Sequence, residues 1–166
     1  ERSVVSEGET STGEMGGPSP PARLAEENLK PSFQKTISAL RERHTPAIPV
    51  GRHDGEIAVW LGAFDFTVYQ HPYTPEQAEV YIFIPENFVN SDPHWVVTVP
   101  PVERADREGW EDNNPDRRDQ DKYLQNDLGV DQGITFSLRW SHLNFKPEKP
   151  EHAVRAIEVI NAGFET

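Results

Sequence analysis

The chain has 166 residues, a formal charge of -12 at pH 7, a pI near 4.9 and no cysteine. An acidic surface of that kind argues against nucleic acid and anionic membranes as partners, and no run reaches the roughly 18 apolar residues of a membrane span. The missing thiols remove disulfides, zinc–thiolate centres and every cysteine nucleophile.

Residues 1–28 are rich in Gly, Ser, Pro and Glu and poor in large apolar side chains. Such a segment buries too little surface to offset its ordering entropy, so it reads as a disordered tail or linker ahead of one domain at 29–166. Pro31-Ser32 opens a helix whose Phe33, Ile37 and Leu40 form one stripe, and Thr45-Pro46 ends it. Residues 48–50 and 56–61 then read as a hairpin turning at Asp54-Gly55. Residues 64–69 either extend its second strand past Gly62 or form another, and His71-Pro72-Tyr73-Thr74-Pro75 is a loop.

The clearest strand is 78–84. Ala78, Val80, Ile82 and Ile84 alternate with Glu79, Tyr81 and Phe83, and Pro85 stops the run. A connection follows, then a strand over 94–99 closed by Pro100-Pro101. Residues 103–131 are crowded with Asp, Glu and Arg, with Trp110, Tyr123, Leu124, Leu128 and Val130 as the apolar anchors. A helical turn or two fits 121–128. Residues 133–142 are apolar again, 144–150 read as extended, and a last helix starts at Glu151 with Ala153, Ile157, Ile160 and Phe164 on one stripe. The expected class is α+β: an N-terminal helix, a four-stranded antiparallel meander, a long loop and a C-terminal helix.

Two motifs give that order a closer meaning. The run Ile84-Pro85-Glu86-Asn87-Phe88-Val89-Asn90-Ser91-Asp92-Pro93 resembles the Pro-x-x-Tyr-Pro-x-x-x-Pro connection of ubiquitin-conjugating (UBC) proteins, with Phe88 for Tyr and Val89 for the second Pro. The run Gly133-Ile134-Thr135-Phe136-Ser137-Leu138, followed by Trp140-Ser141, resembles the family's Gly-x-Ile-Cys-Leu-Asp segment and its Trp-Ser. The stretch 139–147 is similar to the tail of the bacterial and archaeal branch, whose members are encoded beside ubiquitin-like proteins and activating enzymes. The resemblance spans roughly residues 31–164. It implies a cytoplasmic component of a ubiquitin-like protein conjugation pathway, with a ubiquitin-like protein and its activating enzyme as partners and no cofactor.

Thr135 stands where that family carries its thioester cysteine. Two readings follow. The chain is a cysteine-less scaffold that binds a ubiquitin-like protein, or it is a transferase that carries the cargo as an oxyester. In the second reading Thr135 or Ser137 is the nucleophile, His142 its base, and Arg139 offsets charge on the acyl oxygen. Against both stands an ordinary reading: threonine is a common strand residue, His142 a turn or surface residue, and Trp140 a core residue. The alternative from another class is a non-enzymatic interaction domain, unrelated to conjugation, that binds through the acidic 103–131 loop. The six histidines form no helical i, i+4 pair, so no metal site is expected. Residues 112–123 are a poor calcium loop, with Arg117 in place of Gly and Tyr123 in place of Glu.

Overall fold

A computed structural model describes residues 19–44, 46–87, 95–106, 119–137 and 154–165. Helix α1 (Pro31–Arg43) starts with Pro31 in the first turn, where its missing N–H costs nothing, and buries Phe33, Ile37 and Leu40 together with Thr36. Strands β1 (Ile48–His53) and β2 (Glu56–Asp65) form the expected hairpin. Asp54 and Gly55 both take positive φ, 52° and 81°, as a tight two-residue turn between twisted strands requires. β2 does run on past Gly62, through a register shift between Trp60 and Ala63 where Gly62 has φ 81°. It ends in a single 3-10 turn, Phe66–Val68.

A short strand β3 (Tyr73–Thr74) follows inside the expected loop, then β4 (Gln77–Pro85) and β5 (Trp95–Val99). β6 (Glu103–Arg104) pairs antiparallel with β3 as a separate two-stranded clip. The acidic region then contributes helix α2 (Asp119–Leu128), longer than the one or two turns expected. Strand β7 (Ile134–Ser137) and helix α3 (Arg155–Glu165) complete the described elements. The class is α+β, with an antiparallel sheet in the order β1-β2-β4-β5-β7.

Four strands were expected, and the sheet has five. The fifth is the apolar stretch itself: Ile134, Thr135, Phe136 and Ser137 pair with Thr98, Val97, Val96 and Trp95, occupying the edge of β5 that a four-stranded meander would leave open. The outcome at the other end concerns residues 24–28, which composition assigned to the tail. Leu24 N–H donates to the Pro49 carbonyl at 2.9 Å, Leu24 packs on the core, and the Glu26 carboxylate meets the Arg41 guanidinium at 2.6 and 3.1 Å. One apolar side chain and one two-pronged ion pair are enough to lay this segment along the outer edge of β1.

The sheet is covered on both faces. Ile57, Val59, Leu61, Val80, Ile82, Ile84 and Val96 face a core shared with α1 and α3. Ala58, Trp60, Tyr81, Phe83, Val97 and Val99 face a second, smaller core with Tyr123 and Leu124 of α2. That double cover explains why β4 is apolar on both sides of its alternation. Tyr123 is the main anchor of α2. Tyr123 lies directly over Gly51, where any Cβ would collide with its hydroxyl, stacks on His53 at 4.7 Å between ring centroids, and presents an edge to Phe83. The start of the 84–93 connection ties β4 to α1: Glu86 takes two bonds of 3.0 Å from Arg52 and one of 3.3 Å from the Lys30 backbone N–H. The Arg52 hydrogen bonds hold the Glu86 carboxyl below its ordinary range, so this tie is complete at neutral pH and is lost as pH falls through the carboxylate range. Residues 88–94 of the connection lie outside the described residues.

Candidate functional site

Gly133 and β7 form the neighbourhood singled out in the sequence. Gly133 is buried against β5, and a Cβ there would meet the Thr98 carbonyl oxygen at 2.6 Å. The glycine is therefore needed for close approach of two backbones. Thr135 pairs with Val97, and cross-strand partners share a face, so its side chain lies on the α2 side of the sheet. It is 1% exposed, and its hydroxyl oxygen is buried with no hydrogen-bond partner among the described residues. Phe136 points the opposite way and meets Phe164 of α3 at 5.6 Å between ring centroids.

The three residues of the expected site therefore separate. Thr135 is placed and buried. Ser137 is the last residue of β7, opposite Trp95, and its side chain falls outside the described residues. His142, Arg139 and Trp140 also fall outside them. A nucleophilic hydroxyl needs a base in hydrogen-bond contact and an open path for the acyl group. The Thr135 hydroxyl, sealed under α2, has neither among the described residues. It behaves as a strand residue carrying an unsatisfied polar atom, a condition that costs about 1–3 kcal/mol. Thr135→Val keeps the branched shape and removes the hydroxyl, so we expect it to raise the unfolding free energy by about 1 kcal/mol. Urea denaturation reads this directly; a loss of stability instead would mean that the hydroxyl has a partner.

A second locality joins residues that the sequence assigns to a strand, 64–69, and to a loop, 71–75. Residues 66–76 enclose a depression of about 290 Å³ lined by Phe66, Thr67, Tyr69, Gln70, His71 and Tyr73 among others. The loop grips the end of α3. Tyr69 donates its hydroxyl hydrogen to Asn161 at 2.6 Å, Tyr73 to the Phe164 carbonyl at 2.6 Å, and Gln70 bonds Glu165 through both its backbone and its side-chain nitrogen. Burial pushes the Tyr73 phenol up to about 12 and the Tyr69 phenol higher still, so both remain donors throughout the neutral range. Behind the loop, Arg104 of β6 is 9% exposed. It forms a two-pronged pair with Asp106, 3.1 Å at each contact, and reaches His71 Nδ1 at 3.0 Å. The aromatic spacing of 66, 69 and 73 was the available signal for this cluster. Nothing in the spacing of His71, Arg104 and Asp106 announces that they meet.

Among the described residues no three His, Asp or Glu side chains come together as a metal-binding set, and no helix is long and apolar enough to cross a membrane. No family model matches this chain. No curated protein and no solved structure matches it either. Its chemistry has to be read from the residues themselves.

Proposed function

We propose that the chain is a UBC-like component of a prokaryotic ubiquitin-like protein conjugation pathway, and that it binds its ubiquitin-like partner without carrying it covalently. The order of helix, antiparallel strands, long acidic connection, apolar strand and helix supports the UBC-like part, together with the motifs at 84–93 and 133–141. The observation that carries the non-covalent part is the Thr135 hydroxyl, buried beneath α2 in a chain that has no cysteine. A scaffold needs only a folded surface, whereas a carrier needs an exposed nucleophile.

Isothermal titration of the full chain with a prokaryotic ubiquitin-like protein tests this reading. Saturable binding that Thr135→Val leaves intact is the expected result. Absence of binding to both that protein and its activating enzyme sinks the conjugation reading. A plain interaction domain using the acidic 103–131 region would then be left.

A further inference from the structure

The contact between His71 and Arg104 is possible in only one protonation state of the imidazole. A guanidinium has donors and no acceptor and does not lose its charge, so at 3.0 Å it is Arg104 Nη2 that donates and His71 Nδ1 that accepts. The neutral ring then carries its hydrogen on Nε2, which is buried and has no partner among the described residues. A second proton has to go on Nδ1. That places two N–H donors, and two positive charges, against each other across the same short gap.

Neither partner can absorb this in place. Arg104 is 9% exposed and held at both prongs by Asp106. The Asp106 Oδ2 atom lies 3.8 Å from His71 Nδ1, but it already accepts from Arg104 Nη2, so an imidazolium can recruit it only at the expense of that bond. The other charged and titratable groups around this corner offer no substitute. Tyr73 on β3 directs its hydroxyl to the Phe164 carbonyl, Glu165 on α3 is engaged by Gln70, Glu103 is paired through its backbone with Thr74, and Glu76 lines the same depression as His71 but is joined to it by no hydrogen bond or ion pair among the described residues. The imidazole is the group free to leave. Its chain neighbour Pro72 gives its carbonyl to the Ala105 N–H at 2.9 Å, the bond that continues the β3–β6 clip.

We propose that the β3–β6 clip is a proton-sensitive latch: protonation of His71 expels its ring from Arg104 and releases the Pro72–Ala105 bond. The latch joins the α3-gripping loop at 66–76 to residues 103–106, so opening it loosens that junction. Unperturbed histidine changes its charge between pH 5 and pH 8, so these two pH values frame the test.

Amide hydrogen exchange on the full chain, followed by NMR at pH 8 and pH 5 and corrected for the intrinsic pH dependence, tests it. The protection factor of Ala105 should fall roughly tenfold or more at pH 5, while amides of the β2–β4 ladder keep theirs. In His71→Gln, whose side-chain oxygen can accept from Arg104 but does not titrate, Ala105 should be protected equally at both pH values. Equal protection in the native chain overturns the proposal, and so does a fall that persists in His71→Gln. The native chain supplies a second check should the variant fail to fold. The imidazole nitrogen shifts of His71 must change over the same pH interval as Ala105 protection, and a mismatch of the two curves also overturns it.

Discussion

Phe164→Ala should remove about 3–5 kcal/mol of unfolding free energy, the range for truncating a large buried aromatic. Phe164 is 5% exposed near the end of α3, and four rings from three parts of the chain converge on it. Phe66 and Tyr73 meet it edge-on at 4.9 and 5.7 Å, Tyr69 at 5.7 Å, and Phe136 of β7 at 5.6 Å. Such edge-to-face contacts add to the area term. The Tyr73 hydrogen bond goes to the backbone carbonyl of Phe164, so the substitution leaves that acceptor in the chain and isolates the packing loss. A domain of this size holds only about 5–15 kcal/mol in total, so the variant should unfold at markedly lower urea. A change below about 1 kcal/mol would mean that α3 is not seated on the loop in solution.

Gly133→Ala should cost about 2–3 kcal/mol, with the damage confined to one edge of the sheet. The added methyl would sit 2.6 Å from the Thr98 carbonyl oxygen and 2.9 Å from a methyl of each of Val97 and Val99. A side-chain tip can rotate away, but a backbone oxygen inside a ladder cannot, so β7 has to lift from β5 at its first residues. Hydrogen exchange should then show lost protection in β7 and unchanged protection in the β1–β2 hairpin. Gly163 is a matched control: it lies inside α3, and a Cβ there meets nothing within 4 Å. Gly163→Ala should therefore stabilise the helix by up to about 1 kcal/mol. Equal behaviour of the two variants would contradict the close approach of β5 and β7.

The difference between these two glycines shows where sequence reasoning stops. Periodicity exposed whatever depends on neighbours along the chain. The alternation through 78–84 became β4, Asp54-Gly55 became the hairpin turn, and the Phe33, Ile37 and Leu40 stripe became the buried side of α1. Features that depend on contacts distant in the chain stayed hidden. α2 carries little apolar surface and is held by Tyr123 lying over Gly51, a pairing 72 positions apart in the chain that no local pattern marks. Leu24 and Glu26 looked like tail because their partners, Pro49 and Arg41, come later in the chain.

The site illustrates the same limit in a sharper form. The sequence located Gly133 and Thr135 and recognised that an alignment with a cysteine segment would place a hydroxyl at the reactive position. It had no means of showing whether that hydroxyl faces a cleft or a core. The alternation of a single short strand leaves both faces open, and here both faces are covered by helices. Thr135 falls on the α2 side, a helix anticipated only as a turn or two. His71 was set aside as a loop residue because Arg104 and Asp106 enter its surroundings through the β3–β6 pairing, a contact invisible to spacing.

Intact-mass spectrometry most directly tests whether this chain binds without carrying. The full chain is incubated with a prokaryotic ubiquitin-like protein, its activating enzyme and ATP, and then split between thiol and hydroxide treatment. The expected spectrum shows the chain at its unmodified mass under every condition, alongside saturable binding in the titration. An adduct that resists thiol, is removed by hydroxide and disappears on substitution of Thr135 or Ser137 would contradict the non-covalent role and establish an oxyester carrier.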